Sequence, residues 1–184
     1  MSMGSGRAAS MAIMTALATA LAYSTVALPN VTLMDVVVFI AGWTMGAAAG
    51  ATVGCLSWLI YGVLNPYGFN PVVWASTVVC EAIYGLAGGL AKRTLSPVDR
   101  VRLKEALLLG GLGFLATFAY DVATNIAYAV AFNVPWLLAL ILGAPFAIVH
   151  ELSNLIFFTC VAPPVAKAVA KLSPPMEGGG RWLR

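Results

Sequence analysis

The sequence predicts an all-α integral membrane protein, a six-transmembrane-helix bundle with its N and C termini in the cytoplasm. Composition is the first observation. The 184-residue chain is 61% hydrophobic and only 9% charged, whereas a soluble domain carries roughly 25% charged residues. So few charges cannot build a water-facing surface, and lipid must cover most of it. Charge placement is the second. The ten Lys and Arg gather as Arg7 near the start, as Lys92, Arg93, Arg100, Arg102 and Lys104 in the middle, and as Lys167, Lys171, Arg181 and Arg184 at the end. The positive-inside rule assigns these patches to the cytoplasm, so an even number of spans separates each pair. The third observation is that long apolar runs lie between them. A net charge of +3 therefore records topology and gives no sign of a nucleic-acid partner.

The elements follow in order. The first run, 8–28, is long enough to cross a bilayer and ends at Pro29-Asn30. A secretory signal peptide is the rival for this segment, because Arg7, an apolar core, Ala20 and Ala22 loosely fit one. Its removal would leave an odd number of spans before the basic loop. The stretch 33–64 is too long for one span and short for two, and the Gly/Ala-rich centre at 46–50 divides it into spans 33–46 and 47–64 with a tight turn. Asn65 to Pro71 is uncharged turn chemistry suited to an outer loop. Span four, 72–91, delivers Lys92 and Arg93 to the inside. Ser96-Pro97-Val98-Asp99 reads as an N-cap, a proline at the first helical position and a first-turn acid, leading into span five at 106–132. Asn133-Val134-Pro135 breaks it. Pro145 lies in the last apolar stretch, so 136–144 is either an outer loop helix or the start of span six at 144–162. Residues 1–164 thus form the membrane domain. Residues 165–184 form a basic cytoplasmic tail, with a short interfacial helix at 165–172 and a flexible Gly178-Gly179-Gly180.

Small residues recur at intervals of four: Ala8, Ala12, Ala16 and Ala20 in span one, and Gly42, Gly46, Gly50 and Gly54 in the next two. Such a stripe lets another backbone approach closely. Packing within the chain is the simplest reading for the glycines, whereas the alanines are equally suited to a partner. Cys55, Cys80 and Cys160 sit in apolar stretches and offer neither a disulfide framework nor metal-ligand spacing, so no metal and no cofactor is expected.

Glu81, Asp121 and Glu151 lie within apolar spans with no Lys or Arg close in sequence. Intramembrane ionisable groups are costly and point to function. Asp121 and Asn125 are four apart on span five, beside Tyr120 and Tyr128; His150 and Asn154 are four apart on span six, beside Glu151. A four-residue interval places side chains on one helix face, so two polar faces can meet across a cavity for a small polar ligand. The outer loops carry one acid, Asp35, and no base. No phosphate-binding loop of the GxxxxGK[ST] type is present, so ATP hydrolysis is not expected of this chain.

Several patterns resemble one family. Phe39-Ile40-Ala41-Gly42 through Gly46, Gly50 and Gly54 to Leu56-Ser57 resembles the second and third helices of S components, the substrate-binding membrane subunits of energy-coupling factor (ECF) vitamin transporters. Gly143-Ala144-Pro145-Phe146 with His150 and Asn154 is similar to the last helix of some of them, and Tyr120-Asp121 to a motif in the fifth. The resemblance implies a prokaryotic plasma-membrane protein that binds a vitamin-like micronutrient from outside. It also implies docking on a T-component membrane protein with two ABC ATPases through Ala12, Ala16 and Ala20. The site residues it nominates are Glu81, Tyr84, Tyr120, Asp121, Asn125, His150, Glu151 and Asn154, with Pro29 to Thr32 and Trp136 near the gate. Acids without intramembrane bases favour cationic or neutral ligands, thiamin-like or pyrimidine compounds first and other neutral heterocycles next. Two alternatives stand: a self-sufficient secondary transporter or channel using the acids as cation or proton sites, and a membrane enzyme using His150 and Glu151. The HxxxN spacing of His150 and Asn154 is shared with CAAX-type intramembrane proteases, which need a paired-Glu motif and a second His that this chain lacks.

Overall fold

The computed structural model describes residues 4–94 and 102–172, and among them every regular element is helical. The helices are α1 Ser5–Ser24, α2 Met34–Met45, α3 Ala47–Val63, α4 Pro71–Cys80, α5 Ala82–Thr94, α6 Leu103–Phe132, α7 Trp136–Cys160 and α8 Ala162–Leu172. Helices α4 and α5 are nearly continuous, joined at Glu81, and Pro71–Arg93 is long and apolar enough to cross a membrane, as are α6 and α7. Helices α2 and α3 are apolar but shorter. The Ser96–Asp99 cap expected from the sequence, and residues 173–184 of the tail, lie outside the described residues.

The centre of the bundle is α2. Met34 through Trp43 are all buried, as a helix apolar on every side must be. It packs against α1, α3 and α5, while α6 and α7 form the most extensive pair. Glycines make the approach of α2, α3 and α5 possible. A Cβ on Gly42 would stand 2.0 Å from the Gly85 carbonyl oxygen, and one on Gly85 would stand 2.1 Å from the backbone of Gly50. Most of the four-residue glycine series therefore serves packing within the chain. Gly46 differs from the rest of the series, because at φ +97° it makes the turn between α2 and α3 in a conformation other residues resist.

The two ends of the bundle differ. At one end Arg7 Nη2 donates to Met45 O (3.0 Å) and Lys92 Nζ to Thr44 O (3.1 Å), so two cations cover the C-terminal carbonyls of α2. At the other end lie the uncharged connections 25–33, 64–70 and 133–135. Asn133 adopts the left-handed conformation there, and its N–H bonds back to Ala129 O to close α6.

Two boundaries differ from the sequence reading, and one that it left open is decided. Helix α1 stops at Ser24, and the residues after it form a loop over the bundle rather than a last helical turn. Helix α7 runs unbroken from Trp136 through Pro145; an internal proline loses one backbone bond and crowds the carbonyl four residues back, which helices in a membrane tolerate where neighbouring groups satisfy the freed backbone. Pro163 and Pro164, at the boundary drawn between membrane domain and tail, occupy the first turn of α8, where a missing N–H costs nothing, so the helix expected at 165–172 starts at Ala162.

Candidate functional site

A central helix of twelve residues rises only about 18 Å, whereas α6, with 30 residues, rises about 45 Å. The shortfall lies at the loop end, above Met34 and Asp35, and a cavity of about 720 Å³ occupies it. That volume is within the range of small-molecule sites.

Loops roof the cavity and are tied down individually. The hydroxyl of Tyr67 donates to Val26 O, joining the loop after α1 to the loop before α4. Asn30, at φ +56°, donates from Nδ2 to Phe146 O on α7 (3.3 Å). Asn70 accepts from the N–H groups of Val72 and Val73 at 2.9 and 3.2 Å, the N-cap of α4 with Pro71 at its first position. The walls are aromatic: Trp58, Tyr61, Phe69 and Trp74 on one side, Tyr120, Tyr128 and Phe146 on the other. Trp58 meets Tyr61 edge-on at 5.2 Å, and Tyr120 meets the imidazole of His150 edge-on at 5.7 Å.

The floor is a polar network. His150 Nδ1 lies 3.0 Å from Asp121 Oδ1, and Nε2 lies 2.8 Å from Asp35 Oδ2. Asn154 spends both amide hydrogens, on Asp35 Oδ2 (2.6 Å) and Thr117 Oγ1 (2.7 Å). Thr117 also accepts from Tyr84 OH (3.1 Å) and donates to Gly113 O (2.8 Å). Each position follows from helix periodicity. The buried residues of α7 are Ala139, His150, Asn154 and Phe158, the last three forming one stripe at intervals of four; Gly113, Thr117 and Asp121 form its counterpart on α6. Two atoms bordering the cavity remain buried without a partner, Asp121 Oδ2 and Trp74 Nε1.

Of the residues nominated from the sequence, Tyr120, Asp121, Asn125 and His150 line this cavity, as do Pro29, Asn30, Val31 and Thr32. Asn154 and Tyr84 lie beneath it, fully buried in the network. Glu81 is deeper still, at the joint of α4 and α5, fully buried beside Asp35 and Trp58. Glu151, next to His150 but turned away, borders a separate cavity of about 320 Å³ between α6 and α7. Trp136 is 62% exposed and stands outside both cavities.

The residue that sequence reasoning misplaced is Asp35. It is not an exposed loop acid: it sits in the first turn of α2, 1% exposed, where the helix N-terminus favours a carboxylate. Its partners are 115 and 119 positions away, so no local pattern links them. The one available signal was an acid opening a wholly apolar helix. Among the described residues no group of His, Cys, Asp and Glu is arranged to hold a metal ion, and no Lys or Arg lines the cavity.

On the first helix, Ala8, Ala12, Ala16 and Ala20 are all exposed, with Ile13 and Leu17 beside them, while Met11, Thr15, Ala18 and Ala22 face inward.

A family model described as ECF-type riboflavin transporter, S component, matches residues 6–171. No curated protein and no solved structure matches the chain.

Proposed function

The chain belongs to the family of ECF-type riboflavin transporter S components, and from that premise we propose that it captures riboflavin in the loop-roofed cavity and presents it to a T component with two ATPases. As an S component it is a transporter's binding subunit in a membrane, not an enzyme, and ATP hydrolysis lies in partner subunits.

One observation carries the substrate reading: an aromatic-walled cavity of about 720 Å³ with an acceptor-rich floor and, among the described residues, no Lys or Arg on its lining. A planar neutral heterocycle stacks on such walls, and its N–H groups meet the acids below. The absence of bases disfavours anionic ligands. This gives the flavin precedence over the thiamin-like and pyrimidine compounds that the acids alone suggested, although a thiamin-like cation remains the second reading because the same floor is acidic.

The orientation in this proposal puts the loop end outside and the ends bearing Arg7, Lys92 and Lys104 in the cytoplasm, following the positive-inside rule. Helices α1, α2, α3, α4 with α5, α6 and α7 are its six spans, in the plasma membrane of a prokaryote. The open alanine face of α1 supports Ala12, Ala16 and Ala20 as the docking stripe for the T component, since small residues let a second helix approach closely.

The test is to purify the protein from cells, identify bound small molecules by mass spectrometry, and titrate the emptied protein with riboflavin by fluorescence quenching. Saturable binding of riboflavin, with thiamin and pyrimidines failing to compete, is expected. A thiamin-like compound displacing riboflavin, or no flavin binding at all, would overturn the assignment.

A further inference from the structure

The polar floor specifies which edge of the ligand points down. This inference rests on the reading that the cavity binds a flavin. Asp35, His150 and Asp121 are joined by two hydrogen bonds. Wherever each proton sits along them, two protons shared by two carboxylates and an imidazole leave one net negative charge. Asn154 adds a further donor to Asp35. Nothing equivalent reaches Asp121 Oδ2, which is buried with no partner on a residue only 5% exposed.

A buried acceptor left unsatisfied is costly, more so when charged, and among the described residues the protein supplies no donor for it. The other acids nearby, Glu81 behind Asp35 and Glu151 beyond the α6–α7 wall, can only add negative charge when ionised. Asp121 also borders both the main cavity and the smaller one between α6 and α7. A ligand seated in the main cavity therefore lies against this carboxyl group.

We propose that Asp121 Oδ2 accepts a hydrogen bond from a ring N–H of the bound heterocycle, in a flavin the imide N–H between its two carbonyls. Asp35 acts through His150 as a positioning residue. It holds the imidazole from the far side, so that Asp121 is fixed by Oδ1 and offers Oδ2 to the ligand. The ligand class is a planar heterocycle with an unsubstituted imide or amide N–H at the edge remote from its side chain.

The experiment compares riboflavin with its analogue methylated at the imide nitrogen, on wild type and on Asp121→Ala. Wild type is expected to bind the methylated analogue about 10- to 100-fold more weakly, the range for a hydrogen bond to a charged group. Asp121→Ala is expected to bind the two compounds alike. Equal affinity of wild type for both overturns the inference while leaving the flavin reading intact, and so does discrimination that survives in Asp121→Ala. If wild type binds neither compound, the flavin reading falls and this inference with it.

The wild-type comparison needs no variant, so it decides the question even if Asp121→Ala does not fold. The positioning role has its own readout, because His150 is the sole histidine of the chain and nitrogen-15 labelling of histidine gives one imidazole. Asp35→Asn is expected to shift those resonances and reduce the discrimination. Unchanged resonances, or undiminished discrimination in a folded Asp35→Asn protein, overturn that role.

Discussion

Replacing Gly85 by alanine tests whether the crossing of α2, α3 and α5 sets the position of the cavity floor. The added Cβ would lie 2.1 Å from the Gly50 carbonyl carbon and 2.3 Å from the Ala51 nitrogen. Both are backbone atoms, so no rotamer change relieves the overlap and a helix must move by roughly an ångström or more to restore van der Waals distance. Overpacking a close-packed interior costs about 1–3 kcal/mol; with only backbone as neighbour the upper end applies. At about 2–4 °C per kcal/mol for a chain of this size, the melting temperature in detergent is expected to fall by about 6–12 °C. Riboflavin binding is expected to weaken too, because α3 carries Trp58 and Tyr61 of the cavity wall. Gly111→Ala is the control: nothing lies within 4 Å of its added Cβ, and alanine gains about 1 kcal/mol of helix propensity over glycine. It should melt at or above wild type. A Gly85→Ala protein that melts within a degree of wild type and binds normally would refute the backbone-contact argument.

Ala16→Leu places a larger side chain on the open face of α1; flavin binding by the isolated protein is expected to be unchanged while co-purification with the T component and cellular uptake are lost. Equal loss of binding would show that the stripe serves the bundle itself. Glu151→Ala should leave riboflavin affinity within about twofold of wild type, because Glu151 borders only the smaller cavity, whereas Asp121→Ala should weaken it by about 1.5–3 kcal/mol; titration of both variants reads the difference, and the reverse order would move the site. Tyr67→Phe removes the hydroxyl that ties the two roofing loops together. Loss of about 0.5–1.5 kcal/mol from the closed state should raise the flavin dissociation rate about two- to tenfold in stopped-flow fluorescence, with little change in melting temperature.

Much of the bundle was legible because lipid imposes simple rules. Helices must satisfy their own backbone groups in hydrocarbon, so apolar runs, Gly-Pro-Asn punctuation and basic patches locate segments directly. The candidate site was half legible. The four-residue spacing of His150 and Asn154, and the position of Asp121, identified the two faces that meet, since helix periodicity is a local property. Glu151 shows the limit of that reading: one residue further along turns it by about 100°, out of the cavity that His150 lines. Glu81 and Tyr84 are polar groups in apolar spans, as expected of site residues, yet they lie below the cavity rather than on it.

The sequence by itself determined the helical class, the segregation of Lys and Arg away from the apolar runs, the family, and the polar stripes of α6 and α7, because each depends on residue type and near-neighbour spacing. Only the tertiary structure decided that Asp35 joins the polar network beneath the cavity, that the glycines of α2 and α3 meet Gly85, and that the alanines of α1 remain open. Those facts depend on how short α2 is relative to its neighbours and on contacts across more than a hundred residues, where separation along the chain carries no information about distance in space.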